Sequence, residues 1–153
     1  RKAFIELIRN RLSDQDTGLW FLDECGIEGA PRSRERFATK VEKILQPYSG
    51  AHLRMRVTGP VLPRTGESYA MKFSHSDKEI FQAYLDHANK DISFLRSRDI
   101  FVLDKASWYN SKSLDGGRHV PIFLSPYSPD LNLTASLCLL MKAQWFDGFY
   151  AKT

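Results

Sequence analysis

The sequence predicts a mixed β-sheet flanked by helices, an α/β or α+β domain. Three observations lead there. Two apolar runs, residues 19–22 (LWFL) and 100–103 (IFVL), are short and aromatic or β-branched, as buried strands are. Two strand-like stretches, 52–61 and 68–73, are separated only by Pro63-Arg64-Thr65-Gly66-Glu67, so they must pair antiparallel. Amphipathic segments of helical period separate the remaining strands. A doubly wound nucleotide fold is disfavoured, because it would open as βαβ with a Gly-rich turn, and neither GxGxxG nor GxxxxGK[ST] is present.

In chain order, Phe4, Ile5, Ile8 and Leu12 share one helical face. After a polar break the first apolar strand ends at Asp23-Glu24, followed by Gly26. Residues 28–50 contain Pro31, Pro47, Gly29 and Gly50 and read as a long loop, which is uncommon unless functional. In 52–61, Leu53, Met55 and Val57 alternate with Arg54, Arg56 and Thr58. Ser76-Asp77-Lys78-Glu79 has the form of a capping box, with Ser76 as cap. The helix after it carries Ile80, Phe81, Tyr84, Leu85 and Ala88 on one face and should end near Asn89 or Lys90. The strand at 100–103 ends at Asp104. Gly116-Gly117 breaks the chain, residues 120–124 form another strand with Pro121 near its start, and Leu133, Leu137, Leu140 and Met141 define a last amphipathic helix ending near Gly148.

The 153 residues suffice for one domain, which at this length buries roughly 70% of its unfolded surface. Hydrophobic residues at 42% and charged residues at 26% are ordinary for a globular protein and argue against disorder. Lys plus Arg number 22 against 18 Asp plus Glu, a net charge of +4 that permits a polyanionic partner without demanding one. Cys25 and Cys138 stand apart from any CxxC, and His52, His75, His87 and His119 are scattered, so free thiols are expected and a zinc site is not. No apolar run reaches the ~18 residues of a membrane span, and residues 1–12 lack the form of a signal peptide. The chain opens without Met and stops at Ala151-Lys152-Thr153 without a closing signal. It is expected to be a single domain over residues 1–153, truncated at one or both ends, with no helix-turn-helix recognisable before the first strand.

The chemistry rests on two acids. Asp23 and Asp104 each end an apolar strand, and on neighbouring strands they would share one edge of the sheet. Alone, an Asp at a strand end is more often a turn former. Paired carboxylates suit hard divalent ions, which can activate a water or a 3′-hydroxyl and stabilise the leaving oxygen of an in-line phosphoryl displacement. A signalling domain phosphorylated on Asp104 is a weaker alternative, since the antiparallel stretches from His52 to Phe73 do not suit it.

Tyr127-Ser128-Pro129-Asp130-Leu131-Asn132 resembles the signature loop of mariner-superfamily and bacterial insertion-sequence DDE transposases. Trp20-Phe21-Leu22-Asp23-Glu24 is similar to that family's first-acid strand, and Phe101-Val102-Leu103-Asp104 with Ala106-Ser107-Trp108 to its second. Gly66-Glu67, Phe73-Ser74-His75-Ser76 and Met141-Lys142 look like the bacterial branch. The resemblance spans nearly the whole chain, and the loop is its most specific part. It implies a ribonuclease-H-like α/β fold, a mixed five-stranded sheet flanked by helices. It also implies metal-dependent DNA cleavage and strand transfer, with Asp23 and Asp104 as catalytic metal ligands for two Mg²⁺ or Mn²⁺ ions. The partners it implies are transposon-end and target DNA and a homodimer, without a membrane, in the bacterial cytoplasm. The basic residues Arg32, Arg34, Arg36 and Lys40 are the candidate DNA contacts.

The chain departs from the pattern around this site. The family continues Asn-Pro, one variable residue, then the third acid; here Asn132-Leu133-Thr134-Ala135 places a methyl group where that acid stands. Lys105 and Tyr109 replace an Asn and a His usual in the bacterial relatives, and Lys105 sets a positive charge beside a ligand. An impaired copy is therefore expected, the alternative being a catalytically dead relic that binds DNA or oligomerises. Asp130 could lean in as a substitute, but a loop-bonding role after Pro suits it better. Trp108 and Tyr109 could stack on a base, though packing at the edge of the core is the better reading.

Overall fold

The central strand is β1 (Thr17–Glu28), and the rest of the chain is arranged about it. The computed structural model describes residues 2–13, 16–29, 53–90, 98–106, 109, 114–125, 128 and 131–146. Before β1 comes helix α1 (Lys2–Leu12). After it come β2 (Arg54–Leu62), the short β3 (Glu67–Ser68) and β4 (Met71–Phe73), helix α2 (Lys78–Lys90), β5 (Arg98–Leu103), β6 (His119–Phe123) and helix α3 (Leu133–Trp145). The sheet order is β3-β2-β1-β5-β6, with β4 also pairing β2. β1 and β2 are antiparallel, while β1, β5 and β6 are parallel. This is a mixed sheet flanked by helices, as the sequence predicts.

Alternation along β1 divides the core in two. Leu19 and Phe21 point to one face, where they pack with Ile100, Val102 and Leu124 and with Phe4 and Ile8 of α1. Trp20 and Leu22 point to the other, against Phe81, Tyr84 and Leu85 of α2 and Phe101 and Leu103 of β5. β1 is buried on both faces over its first half, which is why it reads as a continuous apolar run.

Four local expectations are revised. β1 does not stop at Asp23-Glu24: residues 21–28 keep pairing with β2, from Phe21↔Val61 to Glu28↔Arg54, and Gly26 is carried inside the ladder. The return strand at 68–73 is interrupted between β3 and β4, so the expected third strand is present as two pieces on the same neighbour and the sheet has six strands where five are expected. The interruption faces Gly59, where a Cβ would stand 2.9 Å from the Ala70 backbone; β2 and the return chain approach too closely there for any side chain. At α2 the cap is Asp77, whose Oδ1 accepts the Ile80 N–H at 2.8 Å; Ser76 is not the cap and its hydroxyl is engaged elsewhere. In α3, Leu133, Leu137 and Leu140 are exposed, and it is Thr134 that is buried and Cys138 half-buried. The leucine period is real but marks the outer side of the helix.

His119, at the start of edge strand β6, is buried with neither ring nitrogen hydrogen-bonded and stacks on Phe101 with centroids 4.3 Å apart. Burial, with help from the Arg118 charge, depresses it to about 4. The unfolded chain, with a pKa near 6.5, then takes up the proton more readily than the folded one. The stability is present in full above pH 6.5 and drains away as the pH falls towards 4, by at most about 3 kcal/mol at 1.36 kcal/mol per unit. His119→Phe is expected to flatten the melting temperature between pH 7 and 4.5. The check is a set of thermal melts across that range, and an unchanged slope in the variant rejects the assignment.

Candidate active site

Asp23 and Asp104 are brought together by strand register. In the parallel pairing of β1 with β5, Thr17 faces Arg98 and Phe21 faces Val102, a constant offset of 81 positions. The same offset separates Asp23 from Asp104. Both lie two residues beyond the last paired positions, and two steps along a strand restore the side. Both acids therefore share the face of Phe21 and Val102. Their proximity is felt electrostatically: burial pushes the Asp23 carboxyl above the usual carboxylate range, and the Asp104 charge adds to the rise. The Glu24 N–H donates to Asp23 Oδ1 at 2.8 Å and pulls the other way, as does the Lys142 charge. Asp104 is exposed, and its Oδ1 accepts the Ala106 N–H at 3.1 Å. Lys105 beside it is also exposed.

Helix α3 is fastened to β1 immediately upstream of Asp23. The Asn132 side chain caps the helix by accepting the Thr134 N–H, and its Nδ2 donates to the Leu22 carbonyl at 3.1 Å. The Thr134 hydroxyl donates to the Phe21 carbonyl. Leu133 occupies the first helical position, where Pro only presets φ, so its substitution for Pro leaves the helix start intact. Ala135, Cys138 and Lys142 fall at i, i+3 and i+7 on one helical face. On that face the Cys138 thiol meets Cys25 and is pushed up to about 12, chiefly by burial, while Lys142 reaches the field of Asp23. Cys25 and Asp23 share one side of β1. Ala135 thus stands on the side of α3 turned towards β1 and Asp23, and it supplies no oxygen. Asn132→Ala removes the cap and the strand tether together and is expected to cost about 1–2 kcal/mol. A denaturant melt checks it, and a loss below the error of that melt means the tether carries nothing.

Arg32, Arg34, Arg36 and Lys40 lie outside the described residues, as do Trp108 and Asp130. Tyr109 is buried, edge-on to Phe81 at 4.6 Å, so it packs in the core as expected. Lys142 and Glu24, visible in the sequence only as parts of motifs, both act on the charge of Asp23. Lys142 stands about two helical turns beyond Ala135 on the same face of α3. Glu24, the neighbour of Asp23, points to the opposite face of the sheet, where its carboxylate pairs with Arg56 at 2.8 Å. Near the far end of β1 a cleft of about 390 Å³ is lined by Gly26, Ile27, Glu28, Arg54, Arg56, Lys142 and Phe146. Arg54 there pairs with Glu28 at 2.7 Å.

The family model of the DDE superfamily endonuclease matches residues 18–153 of this chain. The chain belongs to that family. This DDE endonuclease domain has the fold of the Mos1 mariner transposase. It matches the Mos1 paired-end complex with Mn at a TM-score of 0.73, with 14% identity, over 97% of this chain and 48% of that one. The Mos1 strand transfer complex matches at 0.71, again with 14% identity, over 97% and 47%. The domain therefore spans about half the length of those structures. A protein of Sinorhizobium fredii (strain NBRC 101917 / NGR234), named uncharacterized protein y4pE/y4sA, is 26% identical over 93 residues, 60% of this chain and 68% of that one. Among the described residues no helix of this DDE domain is long and apolar enough to cross a membrane.

The residues present fit a divalent ion only in part. Asp23 and Asp104 offer two carboxylates at one edge of the sheet, the donor type that Mg²⁺ and Mn²⁺ prefer. No group of three or more His, Cys, Asp or Glu able to hold a metal occurs among the described residues.

Proposed function

We propose that this DDE endonuclease domain is a transposase catalytic domain whose own chemistry is impaired. The observation that carries this is the shared register of Asp23 and Asp104 beside a helix face that presents Ala135. Asp23 and Asp104 are the residues that would hold Mg²⁺ or Mn²⁺. When bound, such ions supply an activated hydroxyl nucleophile and charge neutralisation for phosphodiester displacement. The domain's own contribution is to hold two carboxylates in register and to aim α3 at them through Asn132 and Thr134. Its substrate would be DNA, as element ends and target, in the cytoplasm. The basic stretch Arg32, Arg34, Arg36 and Lys40 and the cation-rimmed cleft at Arg54, Arg56 and Lys142 are the surfaces to meet phosphates. The Mos1 matches are complexes with transposon ends, and they support DNA and a homodimer as partners. Ala135 also favours a second reading, a relic that binds DNA or pairs with other copies and performs no cleavage.

Calorimetric titration with Mn²⁺ separates these readings from an intact site. The chain as it stands is expected to bind Mn²⁺ weakly, and Ala135→Glu to tighten binding by roughly 10–100-fold, as for a restored site residue. Tight binding by the chain as it stands, unaffected by Ala135→Glu, rejects the claim of impairment. No binding by either form rejects the metal pocket.

A further inference from the structure

The geometry points to Glu24 and Tyr109 as a positioning pair that holds the Asp104 segment against the Asp23 strand from the far side of the sheet. Glu24 follows Asp23, so strand alternation sends its side chain to the opposite face. There the carboxylate is nearly buried, its side chain 12% exposed, and it collects partners from three other parts of the chain. Arg56 of β2 donates to Oε2 at 2.8 Å. Ser76, in the connection leading into α2, donates to the same oxygen at 2.6 Å. Tyr109 donates its hydroxyl to Oε1 at 3.3 Å. This explains why Ser76 is not the helix cap.

The Tyr109 contact reaches the second acid. The Tyr109 N–H donates to the Ala106 carbonyl at 3.1 Å, and the Ala106 N–H donates to Asp104 Oδ1. A continuous path, Asp104–Ala106–Tyr109–Glu24, closes the turn leaving β5 and ties it to the residue next to Asp23. β1 and β5 pair only as far as Phe21 and Val102, so the ladder ends before either acid. The path beyond the ladder takes over the task of fixing Asp104. A histidine at position 109 would also be able to donate to the Glu24 carboxylate. The role of this pair in the reaction rests on the metal reading of Asp23 and Asp104; the tether itself does not.

Amide hydrogen exchange on the whole chain tests it. Tyr109→Phe and Glu24→Gln are expected to speed exchange at the backbone amides of positions 106 and 109 about tenfold while leaving the Trp20 and Phe101 amides unchanged. Tyr109→His is expected to restore the slow rates. In the Ala135→Glu chain, Tyr109→Phe should weaken Mn²⁺ binding about tenfold, as loss of an outer partner does, and Tyr109→His should recover it. Unchanged exchange, or faster exchange spread evenly over β1 and β5, overturns the proposal, and so does local loosening with Mn²⁺ affinity intact. If the Ala135→Glu chain binds no Mn²⁺, the metal reading fails, and the exchange result alone decides the tether.

Discussion

Ala135→Glu is expected to raise Mn²⁺-dependent DNA cleavage by about 10²–10³-fold, the scale of one restored transition-state contact of roughly 3–4 kcal/mol. The expectation rests on how little else has to change. Asn132 and Thr134 already fasten the first turn of α3 to the carbonyls of Leu22 and Phe21. A carboxylate added at 135 joins a helix face that already brings Cys138 onto Cys25 and Lys142 into the field of Asp23. Two cations limit the gain. Lys142 partly neutralises Asp23, and Lys105 stands beside Asp104, so both compete with a metal ion for the same charge. Removing Lys105 as well should therefore add to the effect. A nicking assay on duplex DNA, with Asp23→Asn in the Ala135→Glu background as the blank, gives the answer. Cleavage that stays at the blank level in Ala135→Glu itself rejects position 135 as the cause of the proposed impairment.

Gly18→Ala is expected to cost about 3 kcal/mol, as overpacking at a buried polar contact does. Gly18 faces Asp99 across the β1–β5 ladder, and the Trp20 indole N–H donates to Asp99 Oδ1 at 2.7 Å in the buried core. A Cβ at Gly18 would stand 2.3 Å from that oxygen and 2.6 Å from the indole nitrogen. The methyl group cannot enter without parting the pair, which leaves buried polar atoms unsatisfied. At about 2–4 °C per kcal/mol for a domain of this size, the melting temperature should fall by about 6–12 °C. Trp20→Phe removes the donor without the clash and should cost less. A Gly18→Ala melt within a degree or two of the parent would show that the indole and carboxyl can move aside freely.

The fold and the strand-end positions of Asp23 and Asp104 are legible because each rests on a short-range signal. Four apolar residues ending at Asp23 and four ending at Asp104 announce buried strands, and the Pro-Gly turn fixes which strands run antiparallel. The loop motif then supplied the fold family, which composition and period leave open. What stayed hidden depends on partners far along the chain. The length of β1 is set by β2, whose pairing carries the ladder through Gly26 to Glu28. The outer side of α3 carries the leucines, so apolar period alone assigned the wrong face; Thr134 turns inward because the Phe21 carbonyl offers its hydroxyl a partner. Ser76 reads as a cap until Glu24, 52 positions earlier, is placed beside it.

The two acids are joined by a lateral alignment, and the number of residues between them does not enter it. Insertions or deletions between the end of β2 and the start of β5 that fall outside β3, β4 and α2 can change the count of 81 without moving either carboxylate, provided β5 enters the sheet at the same rung. A single residue gained or lost within residues 98–103 does the opposite. It turns Asp104 to the far face and leaves Asp23 alone on its own. Length variation between relatives should therefore gather in the connecting segments and stop abruptly at Arg98, and a one-residue, frame-preserving lesion inside β5 would separate the two carboxylates as completely as deleting Asp104 itself.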